Sequence, residues 1–129
     1  SFDYELWAEE IKKAYGPAAQ GVLELEKKIG KNSDQEVIRR RTAFRTHQEE
    51  IFKVIDELPR AEEIIEILKS MEAPYYPAQM KVSEKVFSRG IYYAKDLRNR
   101  FGLLQILFDL NLQREFTEQL IRETYYCGQ

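Results

Sequence analysis

Cysteine and histidine are nearly missing from this sequence: among 129 residues there is one of each. A lone thiol, Cys127, allows no internal disulfide, so an oxidising compartment is not implied. A catalytic zinc or nickel centre needs several converging His, Cys or carboxylate ligands, usually with at least one His. His47 has Glu50 and Ile51 at the next-turn positions, which makes at most a weak two-ligand pair, and it reads as a structural side chain. Cys127 lies in a terminal Tyr-Tyr-Cys-Gly stretch with no activating base beside it in sequence, and reads as a bystander thiol. A strong charge of either sign is also missing, since 20 Lys and Arg face 22 Asp and Glu, a net charge of -2. Such a balance offers no long-range field to gather nucleic acid or an anionic membrane. No apolar run reaches the length of a membrane span, and the first residues lack the basic start and apolar middle of a signal peptide, so the reading is cytoplasmic.

Glycine and proline are scarce as well, six and four, and they fall where the helical period breaks. Residues 3–15 read as a helix with Asp3 and Glu5 in its opening turn and Lys12 and Lys13 near its end, as the helix dipole favours. Gly16-Pro17 ends it. Ala18, Val22, Leu25 and Ile29 then share one face before Gly30 closes a second helix. Ser33-Asp-Gln-Glu36 has the spacing of a capping box and opens what reads as one long helix over about 34–58. Its seam is Val37, Phe44, Ile51 and Leu58, with Pro59 as punctuation. Ala61, Ile64, Ile65 and Leu68 mark the next helix, and Ala73-Pro74-Tyr-Tyr-Pro77 the clearest loop.

Ser83 is a second candidate cap, starting a helix whose buried side is expected from Val86, Phe87, Gly90, Ile91, Ala94 and Leu97. Gly90 inside that helix suggests close approach of another backbone. The run 103–110, apolar on nearly every side, reads as a central helix. Asn111 suits its left-handed end, and Phe116, Leu120 and Ile121 mark a last helix running into Tyr125. No stretch alternates with period two. The expectation is an all-α, single, bundle-like domain over 1–129 with six or seven helices.

No complete set of catalytic, cofactor-binding or metal-binding residues emerges. There is no Gly-rich turn after a strand and no P-loop series. Paired carboxylates such as Glu49/Glu50 point in different directions on a helix. The basic run Arg39-Arg40-Arg41 with Arg45 wraps the helix and is bracketed by acids. In the three Tyr-Tyr pairs only one ring of each is expected to share a core face, although Tyr75 and Tyr76, in the Pro-flanked loop, are candidates for a partner contact. Arg98 and Arg100 sit at a helix junction, where arginine most often ties off helix carbonyls or bridges to a neighbour. Contact with a phosphate or with another domain is the other reading.

Trp7-Ala-Glu-Glu-Ile-Lys-Lys-Ala-Tyr-Gly16, Leu58-Pro59, Ala73-Pro74-Tyr-Tyr-Pro77, Ser83 and Ala94-Lys-Asp-Leu-Arg98-Asn-Arg100-Phe together resemble the C-terminal helical part of AraM-type sn-glycerol-1-phosphate dehydrogenases. These belong with the iron-containing alcohol dehydrogenases, glycerol dehydrogenases and dehydroquinate synthases. The resemblance spans nearly the whole chain and is most specific over 73–110. It implies an N-terminal dinucleotide-binding domain as partner, and a parent enzyme that uses NAD(P) and a divalent metal, zinc or nickel, to reduce dihydroxyacetone phosphate. It leaves room for a homo-oligomeric parent. The family's metal ligands and Gly-rich turn lie upstream of the matched region, so none maps onto this chain. Where the family usually continues Tyr-Thr after its paired arginines, this chain has Phe101-Gly102. A free-standing helical protein–protein interaction module is the competing expectation.

Overall fold

The computed structural model describes residues 1–126; the Cys127 reading lies outside them. The described residues are all-α, in eight helical segments without a strand. They are α1 (Tyr4–Tyr15), α2 (Ala19–Ile29), α3 (Asp34–Thr46), α4 (Gln48–Asp56), α5 (Ala61–Ser70), α6 (Glu84–Tyr93), α7 (Leu103–Asp109) and α8 (Gln113–Leu120).

Local chemistry explains most of the boundaries. Asp3 caps α1 by accepting from the Leu6 amide, Ser33 caps α3 through the Glu36 amide and Ser83 caps α6 through the Val86 amide. Gly30 takes the left-handed conformation after α2, and Asn111 does so after α7. The expected long helix is divided: His47 leaves helical geometry at φ -112° and separates α3 from α4. Each of the two therefore packs by itself, and no residue of either is fully buried.

The apolar core is small and lies between α1 and α2, where Trp7, Ala8, Ile11, Ala19, Val22 and Leu23 are buried. Phe2, Tyr4, Tyr15 and Tyr93 pack around it. Two expectations for the core do not hold. Of the side predicted to be buried in α6, Ile91 is buried and Phe87 half-buried, but Val86, Ala94 and Leu97 are exposed. At Ala94 and Leu97 the cause is a switch from α6 into a 3-10 turn at Ala94–Asp96, which changes the rotation per residue and carries Lys95 and Asp96 inward instead; Val86 lies in the first turn of α6. Nor does a backbone press on Gly90, since a Cβ placed there would meet nothing within 4 Å. In α7 the pattern is inverted. Its buried residues are Gln105 and Asp109, whereas Leu103 is 58% exposed and the others are half-buried.

From Gln48 onward the chain forms an arm. α4 contacts α3, which it follows, and α5 packs on no other element to a comparable extent. Beyond the loop, α6 returns to α1 and α8, and α7 joins α3 to α8. The last described helix ends in a π turn, Ile121–Tyr125. There Tyr125 is half-buried and its hydroxyl donates to the Val82 carbonyl at 2.9 Å.

Candidate functional site

The most distinctive chemistry in the fold is a buried polar cluster built from four loops and helix ends. Lys31 and Asn32 follow the Gly30 cap, Lys95 and Asp96 lie in the 3-10 turn after α6, Gln105 and Asp109 are one turn apart on α7, and Glu26 comes from α2. At its centre Asp96 accepts from three donors: Lys95 Nζ at 2.7 Å and Asn32 Nδ2 at 2.8 Å on Oδ1, and Trp7 Nε1 at 3.0 Å on Oδ2. The Asn32 amide donates to Glu26 Oε1 at 2.8 Å, and Asn32 Oδ1 accepts from Lys95 at 3.1 Å. Gln105 Nε2 donates to Asp109 Oδ1 at 3.0 Å, and Arg40 grips both Asp109 oxygens, with Nη2 to Oδ1 at 2.9 Å. Arg41 reaches the Asp109 carbonyl.

Lys31 has a separate task. Its ammonium donates to the carbonyls of Lys95 at 2.6 Å, Arg98 at 3.2 Å and Arg100 at 2.9 Å. An ammonium has three N–H donors, and all three are used to fix the chain where it leaves α6. The loop that was expected to supply guanidinium caps is thus itself capped by lysine. Arg98 and Arg100 are exposed, and neither guanidinium has a partner among the described residues. The expected tie to helix carbonyls is absent.

Three cations, Lys31, Arg40 and Lys95, face three carboxylates, Glu26, Asp96 and Asp109, so the cluster is formally neutral. Burial pushes the Glu26 carboxyl above its ordinary range, partly opposed by the bond from the Asn32 amide. Burial likewise lowers Lys31 and Lys95, against the pull of Asp96. Lys95 Nζ also stands 4.0 Å from the Phe108 ring centroid, a cation–π contact. Among the described residues one buried side-chain polar atom, Gln105 Oε1, has no partner. The arrangement holds elements in register. Asp96 pairs with Lys95 and Asp109 with Arg40, whereas Glu26 accepts only from Asn32 and Lys31 donates only to backbone carbonyls.

A cleft of about 800 Å³, lined by Phe2, Tyr92, Tyr93 and Phe108, meets the cluster only at Asn32 and at Trp7, the indole donor to Asp96. A second depression of about 600 Å³ lies between α3 and the Asn99–Phe101 stretch. Arg100 belongs to this second depression. Tyr75 lines a third, near Lys69 and Gln79, so the structure does not bring the tyrosines and arginines into one site. The rings of Tyr75 and Tyr76 are half-buried and 4.9 Å apart, and both amides donate to Gln79 Oε1 at 2.8 Å.

Among the described residues no group of three or more His, Cys, Asp or Glu is placed to hold a metal ion. His47 is exposed, 4.0 Å from Glu50. The donor set of the described residues does not by itself fit the divalent metal implied by the resemblance. No described helix is long and apolar enough to cross a membrane.

Residue spacing missed the cluster because each member is an ordinary charged or amide residue. The available signal was local: Lys31-Asn32 directly after a glycine cap, and Lys95-Asp96 at the end of an apolar helix face. Comparison with known protein families, curated proteins and solved structures returns no match.

Proposed function

We propose that this chain is the C-terminal helical domain of an NAD(P)- and metal-dependent sn-glycerol-1-phosphate dehydrogenase, walling a cleft whose nucleotide and metal groups come from a preceding domain. The observation that carries the reading is the state of the Ala94–Phe101 motif, the most specific part of the resemblance. Its backbone is held by Lys31, which donates to the carbonyls of Lys95, Arg98 and Arg100, while Leu97, Arg98, Arg100 and Phe101 are exposed. A rigid backbone with unpaired cations and bare apolar groups is what a surface made to meet another body looks like. In this reading Arg98 meets the missing domain or the substrate phosphate, Leu97 packs on that domain, and the protein works in the cytoplasm. The cofactor and metal would supply hydride transfer and carbonyl polarisation; this chain contributes shape and support.

The coding sequence around this segment tests the proposal. It should encode an upstream Gly-rich nucleotide turn and metal-binding histidines, and their absence would sink it. An interaction module remains the second reading, favoured by the apolar exposure of the α4–α5 arm.

A further inference from the structure

The arm and the body differ in charge. Residues 48–72 hold eight carboxylates and three cationic side chains, which leaves seventeen cations and fourteen carboxylates on the remainder. The arm is also bare. Val54, Leu58, Ile64, Ile67 and Met71 are exposed, the last two at 58% and 69%. At 100° per residue, Val54 and Leu58 share one face of the α4 stretch, and Ile64, Ile67 and Met71 one face of the α5 stretch. Ile55 is exposed as well.

The depression between α3 and Asn99–Phe101 has the opposite character. Phe44, Phe101 and Ile51 of the same copy's α4 give it an apolar lining, Phe52 packs edge-on against Phe44, and Lys31, Arg39, Arg40 and Arg100 outnumber its one carboxylate, Glu36. Arg40 is held by Asp109 and Arg39 by Glu36, whereas Arg100 has no partner among the described residues. Packing arm on arm would set two strongly acidic surfaces together, which like-charge repulsion opposes. Packing arm into groove matches apolar surface to apolar surface and acid to base.

We propose that the α4–α5 arm of one copy of this chain docks in the groove between α3 and Asn99–Phe101 of a second copy, reciprocally, forming a two-fold dimer. Each copy then gives one arm and receives one, so the contact closes on itself and does not extend into a filament. The inference does not rest on the dehydrogenase reading, but it assigns Arg100 and Phe101 to the second copy and leaves Leu97 and Arg98 as the part of that motif free to meet an upstream domain.

Sedimentation velocity of the 129-residue chain from about 1 to 200 μM, the range in which interfaces of modest affinity report, tests it. A monomer–dimer equilibrium is expected. Arg100→Glu alone, and Glu57→Lys with Glu72→Lys, should each weaken the dimer at least about tenfold, an effect of the size that breaking close interfacial charge pairs produces. Mixing the groove variant with the arm variant should restore dimer, because both reciprocal contacts again pair opposite charges. Ile67→Asp with Met71→Asp should abolish it with the helical circular dichroism retained, both residues being exposed. A monomer at every concentration, a dimer indifferent to these charge reversals, or a failure of the mixture to recover would each overturn the proposal.

Discussion

Asp96 shows how much one side chain carries in this fold. It is buried, it is the counter-ion of buried Lys95, and it accepts from Trp7 and Asn32, tying the apolar core to the polar cluster. Asp96→Asn would leave the Lys95 charge unpaired and should destabilise the domain by about 3 kcal/mol or more in urea unfolding. A change within about 0.5 kcal/mol, ordinary for a surface site, would show that the cluster is not a structural centre. Glu26 allows a test by pH. Its folded carboxyl titrates above the ordinary 4.5 because it is buried. Between that raised value and 4.5 the folded chain holds more protons than the unfolded chain, so stability falls as pH rises through the window. Denaturation of the parent and of Glu26→Gln, compared across mildly acidic pH, should show the parent gaining on the variant as pH falls toward 4.5. Parallel curves would contradict a buried, raised carboxyl.

At the scale of elements, the punctuation was legible and the burial was not. Gly30, Ser83 and Asn111 act as their local chemistry predicts, because caps and left-handed turns depend on a few neighbouring residues, while Ser33 forms half of its expected capping box, the Glu36 carboxylate accepting from Arg39 and the Ser33 amide donating to the Gly30 carbonyl instead. The divided helix at His47 was hidden, since the seven-residue seam continues through a break that alters only backbone angles. The wet side of α6 and the inverted burial of α7 were hidden for another reason. A 3-10 turn resets the face, and ion pairs allow Lys95, Asp96 and Asp109 to be interior, which hydrophobic periodicity does not register. Gly90 provides a direct check. Its φ is not in the left-handed region and a Cβ meets nothing, so Gly90→Ala should raise stability by about 1 kcal/mol. A loss of stability by thermal or chemical denaturation would mean that something does approach that face.

For the whole molecule, the all-helical class followed from the absence of period-two segments and from the spacing of apolar residues. The candidate site did not follow, because it depends on contacts between residues as distant as Trp7 and Asp96. Large exposed apolar residues remain on the arm and around the Arg98–Arg100 junction. The dehydrogenase reading holds that hydride transfer requires sequence outside this chain. Following NADH absorbance with dihydroxyacetone phosphate and zinc or nickel is the most direct measurement. The account predicts no turnover by the 129-residue chain and turnover by the polypeptide translated with its upstream region. NADH oxidation by the short chain, or none by the longer one, would contradict it.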